Sequence, residues 1–167
     1  MPSLAKLLDE AATSVYGDRS ILFPDERPAP AGTAPVLRRA FDGDAFSIRL
    51  QPQVDLASGK VVGSEALVRC QTPAGETIMP SEFVPRMEAD GDISDLDYFV
   101  FEKALSTLAA WKDRGLDPVP VAVNFSRKTV SDTSFIASVL AIASRYDVPE
   151  SLLEIEITES LGAFKNV

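Results

Sequence analysis

The run Val61, Val62, Gly63, Ser64, Glu65, Ala66, Leu67, Val68, Arg69 constrains the fold more than any other stretch. It is apolar, β-branched at its start and interrupted by glycine, a composition that suits a strand better than a helix. A period of two from Val61 puts Gly63, Glu65, Leu67 and Arg69 on one face, so a carboxylate and a guanidinium share one side of the strand. Read alone, such a run describes an edge strand with its polar side in water. The other arrangement is a strand whose polar side faces an interior lined by more of the same.

Upstream, Phe46 to Leu56 alternates, with Phe46, Ile48, Leu50 and Val54 on one parity and Arg49, Gln51, Gln53 and Asp55 on the other. Only Ala57, Ser58, Gly59 and Lys60 separate it from Val61, which predicts an antiparallel hairpin. If the aliphatic side packs on helices, Gln51 points the same way as Glu65 and Arg69. Downstream, Pro80-Ser81-Glu82 opens a short helix through Met87, and Ser94 with Asp97 three residues on gives a capping-box-like start to a longer one. Leu96, Phe99, Val100, Ala104, Leu108 and Trp111 form its buried stripe, and Gly115 with Pro118 ends it. Trp111 is read as a core anchor. Val119 to Ser126 is predicted as a buried strand with Ala122, Asn124 and Ser126 on one face. A helix follows from about Ser131 to Asp147, and Leu153, Ile155 and Ile157 then alternate with Glu154, Glu156 and Thr158. Strand, helix, strand with short links is the pattern of parallel βα units, in which functional groups collect where strands end. Four strands are expected, with a helix starting at Leu161.

Three segments emerge. Residues 1–23 hold a short amphipathic helix (Leu4, Leu7, Leu8, Ala11, Ala12, Val15), and residues 24–40, with Pro24, Pro28, Pro30 and Pro35, read as a linker. Residues 41–167 form the folded domain. No secretory signal or membrane span is expected, and the default compartment is the cytoplasm. The chain carries 16 basic and 25 acidic residues, net −9, so duplex DNA is repelled on average and is not an expected partner. It has no histidine and one cysteine, Cys70, which excludes imidazole chemistry, thiolate zinc clusters and an internal disulfide. What remains is oxygen chemistry, suited to hard divalent cations. Glu65, Asn124 and Glu156 each lie near the end of a predicted strand, opposite the larger aliphatics. They are either buried hydrogen-bonded polar residues or three oxygen donors converging on one cation.

QPQVDL, EALVR, PSEFVPRMEADGDI, VAVNFS and LEIEITES, in that order, closely resemble the first half of an EAL domain. The resemblance runs from about Phe46 to the end of the chain. It implies an α/β fold, a TIM-like (β/α)8 barrel with an antiparallel first strand, of which about the first half is present here. It implies a cyclic-di-GMP phosphodiesterase, yielding linear pGpG by two-metal hydrolysis with Mg²⁺ or Mn²⁺; the alternative is a module that binds cyclic-di-GMP without catalysis. By resemblance Glu65, Asn124 and Glu156 are the metal ligands, and Glu159 steadies an adjacent loop or is an ordinary helix-capping acid. Arg69 contacts phosphate or forms a structural salt bridge, and Gln51 belongs to the substrate pocket or to an internal amide network. Cys70 stands where the family often has Trp. The family completes its site from later strands, so this stretch alone is expected to be inactive and to leave the edge at Leu153 to Thr158 open, for a second copy or for the C-terminal half of the barrel. The segment AATSVYGDRS resembles the last helix of a diguanylate cyclase domain, or is an ordinary N-terminal helix.

Overall fold

The computed structural model describes residues 46–71 and 77–158. The N-terminal helix, the Pro-rich segment, the helix start at Leu161 and Glu159 lie outside the described residues. Strand β1 (Phe46–Val54) and strand β2 (Val61–Gln71) form the expected antiparallel hairpin, with Gln51 opposite Glu65 and Gln53 opposite Gly63. The turn is held by Asp55, whose Oδ1 accepts the Ser58 N–H at 2.6 Å and the Ser58 hydroxyl at 2.7 Å. Those two bonds hold the Asp55 carboxyl below its ordinary range. Gly59 follows at φ 69°, a left-handed conformation that costs a residue without Cβ nothing.

A two-residue strand β3 (Thr77–Ile78) pairs with Cys70 and Gln71, so the sheet has five strands among the described residues rather than four. Helix α1 (Pro80–Asp90) begins with proline, where a missing N–H is harmless, and the Glu82 carboxylate accepts the Met79 N–H at 3.0 Å. Gly91, at φ 96°, ends it by returning its N–H to Met87 O. Helix α2 (Ile93–Asp113) has its N-cap at Asp92, two residues earlier than the Ser94 cap expected from sequence. The capping-box reading is overturned because the Asp97 side chain turns away from its own helix and bonds to a later segment.

Strand β4 (Val121–Ser126) runs straight into a four-residue helix α3 (Arg127–Val130), which sequence reading missed. Helix α4 (Phe135–Ala143) is shorter at both ends than the helix expected from about Ser131 to Asp147, and a 3-10 turn (Glu150–Leu152) leads into strand β5 (Leu153–Thr158). The sheet order is β1-β2-β4-β5, with β2, β4 and β5 parallel. This is the strand, helix, strand succession of a (β/α) barrel opened out, with β4 in the middle.

The core lies between β4 and α2. Val121, Val123 and Phe125 on one side meet Phe101, Leu105, Leu108 and Trp111 on the other, all essentially inaccessible to water. Phe125 is ringed by Tyr98, Phe101 and Phe135, with centroids 5.1 to 6.0 Å away in tilted or edge-on contacts. Cys70 is buried, and burial pushes its thiol up. Strand β5 is exposed from Glu154 onward, with Ile155 42% and Ile157 58% accessible, as expected of an open edge. No helix among the described residues is long and apolar enough to cross a membrane.

Just past α4, the chain is tied back to α2 through Glu102, which accepts from Arg145 Nη1 at 3.0 Å and from the Tyr146 hydroxyl at 3.1 Å. Burial, and then the negative charge of Glu102, push the Tyr146 phenol from 10.0 up to about 12. The folded state therefore holds a proton that the unfolded chain releases. This contribution to stability is complete below pH 10 and is lost as pH rises through about 12. A phenolate absorbance titration is expected to show one tyrosine ionising near 12, and Tyr146→Phe is expected to remove that phase. A wild-type titration with every tyrosine near 10 would contradict the contact.

Candidate functional site

The side of the sheet away from α2 collects the polar residues. In parallel ladders, rung partners project to the same face. Glu65 is level with Ala122, and Asn124 with Glu156, so Glu65, Asn124 and Glu156 share this face. Antiparallel pairing brings Gln51 directly across from Glu65, with Cβ atoms about 5 Å apart for such pairs. Arg69 stands on the same parity four residues along β2, roughly 13 Å further up the strand at 3.3 Å per residue.

Two of these residues touch. Asn124 Nδ2 donates to Glu65 Oε1 at 2.6 Å, joining side chains 59 residues apart in sequence. Both are half-buried, whereas Glu156 and Gln51 are exposed. The bond engages the amide nitrogen of Asn124, so its carbonyl Oδ1 is the acceptor that Glu65 leaves over. Arg69 Nη1 donates to Val68 O at 2.8 Å and is half-buried. Gly63 has a reason of its own: a Cβ there would come 2.7 Å from Gln53 Oε1, so the missing side chain makes room for the Gln53 amide on this face.

One expectation about placement needs correcting. Asn124 and Glu156 each stand two residues before the end of their strand, but Glu65 is mid-strand, with β2 running on to Gln71. The continuation is possible because β1 accompanies β2 as far as Cys70, with β3 pairing to Cys70 and Gln71. Glu65 nevertheless lies where the parallel pairing with β4, which covers Ser64 to Ala66, comes to its close.

The donor set is uniformly oxygen, two carboxylates and an amide carbonyl, and such a set fits a hard divalent cation. Among the described residues no group of three or more His, Cys, Asp or Glu is placed to hold a metal. Beside the two carboxylates on this face, the Asn124 amide carbonyl is a candidate third protein donor.

Sequence reading missed Asp97. It is buried, 7% exposed, and its Oδ2 accepts the Ser126 N–H at 2.8 Å and the Thr129 hydroxyl at 2.6 Å. Burial raises its pKa, opposed by the hydrogen bonds from Thr129 and Ser126. A signal was available. Ile93, Asp97, Val100 and Ala104 fall on the buried stripe of α2, and an acid on such a stripe has to find donors elsewhere.

Comparison with known proteins agrees with this architecture. The EAL domain family profile matches residues 35–167. The signaling protein YkoW of Bacillus subtilis is 35% identical over 126 residues, 75% of this chain and 16% of that protein. The cyclic di-GMP phosphodiesterase PA2567 of Pseudomonas aeruginosa is 36% identical over 118 residues, 71% of this chain and 20% of that protein. Among solved structures, the PaMucR phosphodiesterase in complex with c-di-GMP superposes with a TM-score of 0.67 at 31% identity, covering 74% of this chain and 50% of that one. The FimX EAL domain of Xanthomonas citri in complex with c-diGMP gives 0.63 at 25%, covering 74% and 47%. The chain thus spans a fifth or less of these two curated relatives and half or less of the two solved chains. With the profile covering most of the chain, and with a hairpin leading into parallel strands that carry Glu65, Asn124 and Glu156 on one face, the chain belongs to the EAL domain family.

Proposed function

We propose that this chain supplies the first-half site of a cyclic-di-GMP phosphodiesterase, cleaving the dinucleotide to linear pGpG with Mg²⁺ or Mn²⁺. The observation that carries the reading is the 2.6 Å contact between Asn124 and Glu65 on the polar face of the sheet, in a chain of this family. Glu65, Asn124 and Glu156 are the residues that would hold the cation. A bound divalent ion supplies charge for the oxygens that become negative as a phosphodiester is cleaved, and lowers the pKa of water.

The chain's own residues do the rest of the work proposed here. The Asn124 amide orients the Glu65 carboxylate by donating to Oε1, so that the carboxylate meets its ligand in one geometry. Arg69 offers a planar guanidinium, a geometry suited to two phosphate oxygens at once. Gln51, opposite Glu65, offers both a donor and an acceptor to the substrate. Glu159 is assigned to loop support by family resemblance.

The decisive experiment is a cyclic-di-GMP titration and hydrolysis assay on residues 1–167 with Mg²⁺ or Mn²⁺, alone and mixed with the C-terminal half of the barrel. Weak binding by the chain alone, with pGpG appearing only in the mixture, is the expected result. Robust turnover by the monomeric chain would overturn the half-site reading. Binding without turnover in the mixture would favour a non-catalytic module.

A further inference from the structure

The most heavily buried acid in the described fold touches none of the candidate ligands, yet its hydrogen bonds go to the end of the strand that carries one of them and to the short helix that follows it. Asp97 Oδ2 takes the backbone N–H of Ser126, the last residue of β4 and two residues beyond Asn124, and the Thr129 hydroxyl in α3. Around this pair the hydroxyls close a small network. Ser126 Oγ is 2.8 Å from Thr129 Oγ1 and accepts the Thr129 N–H at 3.2 Å, capping α3, while Ser94 Oγ is 3.0 Å from Thr129 Oγ1. Asp97 and Ser94 belong to the first turns of α2, whose remainder is locked in the core by Leu105, Leu108 and Trp111. Burying a carboxylate is unfavourable unless strong donors meet it, and a backbone N–H is a donor that cannot rotate away.

The peptide plane at the end of β4 is therefore pinned to the long helix α2, whose inner face lies in the core. Asn124 stands on the same face of β4 as Ser126, one pleat back. Phe125 anchors the core side of this end of β4, but apart from Asp97 its backbone is held only by the ladder with the exposed edge strand β5 and by the weak 3.4 Å contact from Thr158 Oγ1 to Phe125 O. We propose that Asp97 is a positioning residue: by clamping Ser126 and Thr129 it fixes the backbone from which the Asn124 amide reaches Glu65. The inference uses the cation-site reading only for its second readout.

The test compares the 167-residue protein with Asp97→Ala, Asp97→Asn, Thr129→Val and, as a core control, Leu108→Ala. The first readout is the chemical shift and exchange protection of the Asn124 side-chain amide by NMR; the second is the Mn²⁺ dissociation constant. Asp97→Ala is expected to release the Asn124 amide toward solvent-exposed values and to weaken Mn²⁺ binding about tenfold, the low end for loss of a residue that orients a ligand. Asp97→Asn keeps a carbonyl oxygen for the same donors and is expected to restore both readouts. Leu108→Ala is expected to lower the melting temperature while leaving both in place. A folded Asp97→Ala protein with unchanged Asn124 signals overturns the proposal, as does Leu108→Ala moving them equally. Should Asp97→Ala fail to fold, Thr129→Val decides: it removes one of the two donors, and partial loss of Asn124 protection supports the clamp while unchanged signals overturn it. If Mn²⁺ does not bind the wild type and the Asn124 signals still respond as expected, the cation reading falls and the role of Asp97 stands.

Discussion

Glu65→Ala, placed in a domain completed to the length of its relatives, is expected to lose more than about 100-fold in Mg²⁺- or Mn²⁺-dependent cleavage of cyclic-di-GMP while keeping its fold. Removing a residue that merely orients a ligand costs 10- to 100-fold in metal affinity or activity, and a ligand itself is worth at least as much. Stability is little threatened, because Glu65 is half-buried on the polar face and its contact is with Asn124 rather than with the core beneath α2. Glu65→Gln separates two components of the loss. Its amide oxygen can still accept from Asn124 Nδ2, so the local geometry survives while the negative charge does not. A Gln variant as impaired as the Ala variant locates the effect in the charge that meets a cation. Turnover of Glu65→Ala at the parental rate, with parental Mn²⁺ affinity, would remove Glu65 from the site.

Trp111→Ala is expected to destabilise the chain by about 3–5 kcal/mol, the range for truncating a buried Phe or Trp to alanine. Trp111 is completely buried in the last turns of α2 and belongs to the same core cluster as Leu108 and Val121. Against a total of about 5–15 kcal/mol for a typical domain, that loss is about a fifth or more of the whole. As Trp111 is the single tryptophan, the variant has to be followed by far-UV circular dichroism in urea rather than by indole emission. A midpoint within experimental error of wild type would mean that α2 does not pack on β4 as described.

Much of the candidate site's placement on one face is legible in the chain because the strand period is local. Glu65, Asn124 and Glu156 stand out as polar side chains in runs otherwise made of Val, Ala, Leu, Ile and Phe, and counting by two assigns each a face without knowledge of any neighbour. The hairpin is equally local, since four residues around Gly59 allow little but a reversal. The helix of 21 residues with its apolar stripe follows from spacing alone.

Other features depended on partners far away in sequence. The extension of β2 past Glu65 needs β3 as well as β1, and a two-residue strand such as Thr77–Ile78 has no periodicity to read. The end of β4 turns directly into α3 because the Ser126 side chain caps it, a local signal that apolar counting passes over. Asp97 shows the division most plainly. From sequence it looks like the third residue after a cap, placed to serve its own helix, and in the structure it serves a backbone N–H 29 residues later. Local pattern determined which residues lie on the polar face and which pack beneath it. Tertiary structure alone decided that Asn124 meets Glu65 and which donors meet Asp97, because hydrogen-bond register between strands and the donors that make a buried carboxylate tolerable come from segments no local window contains.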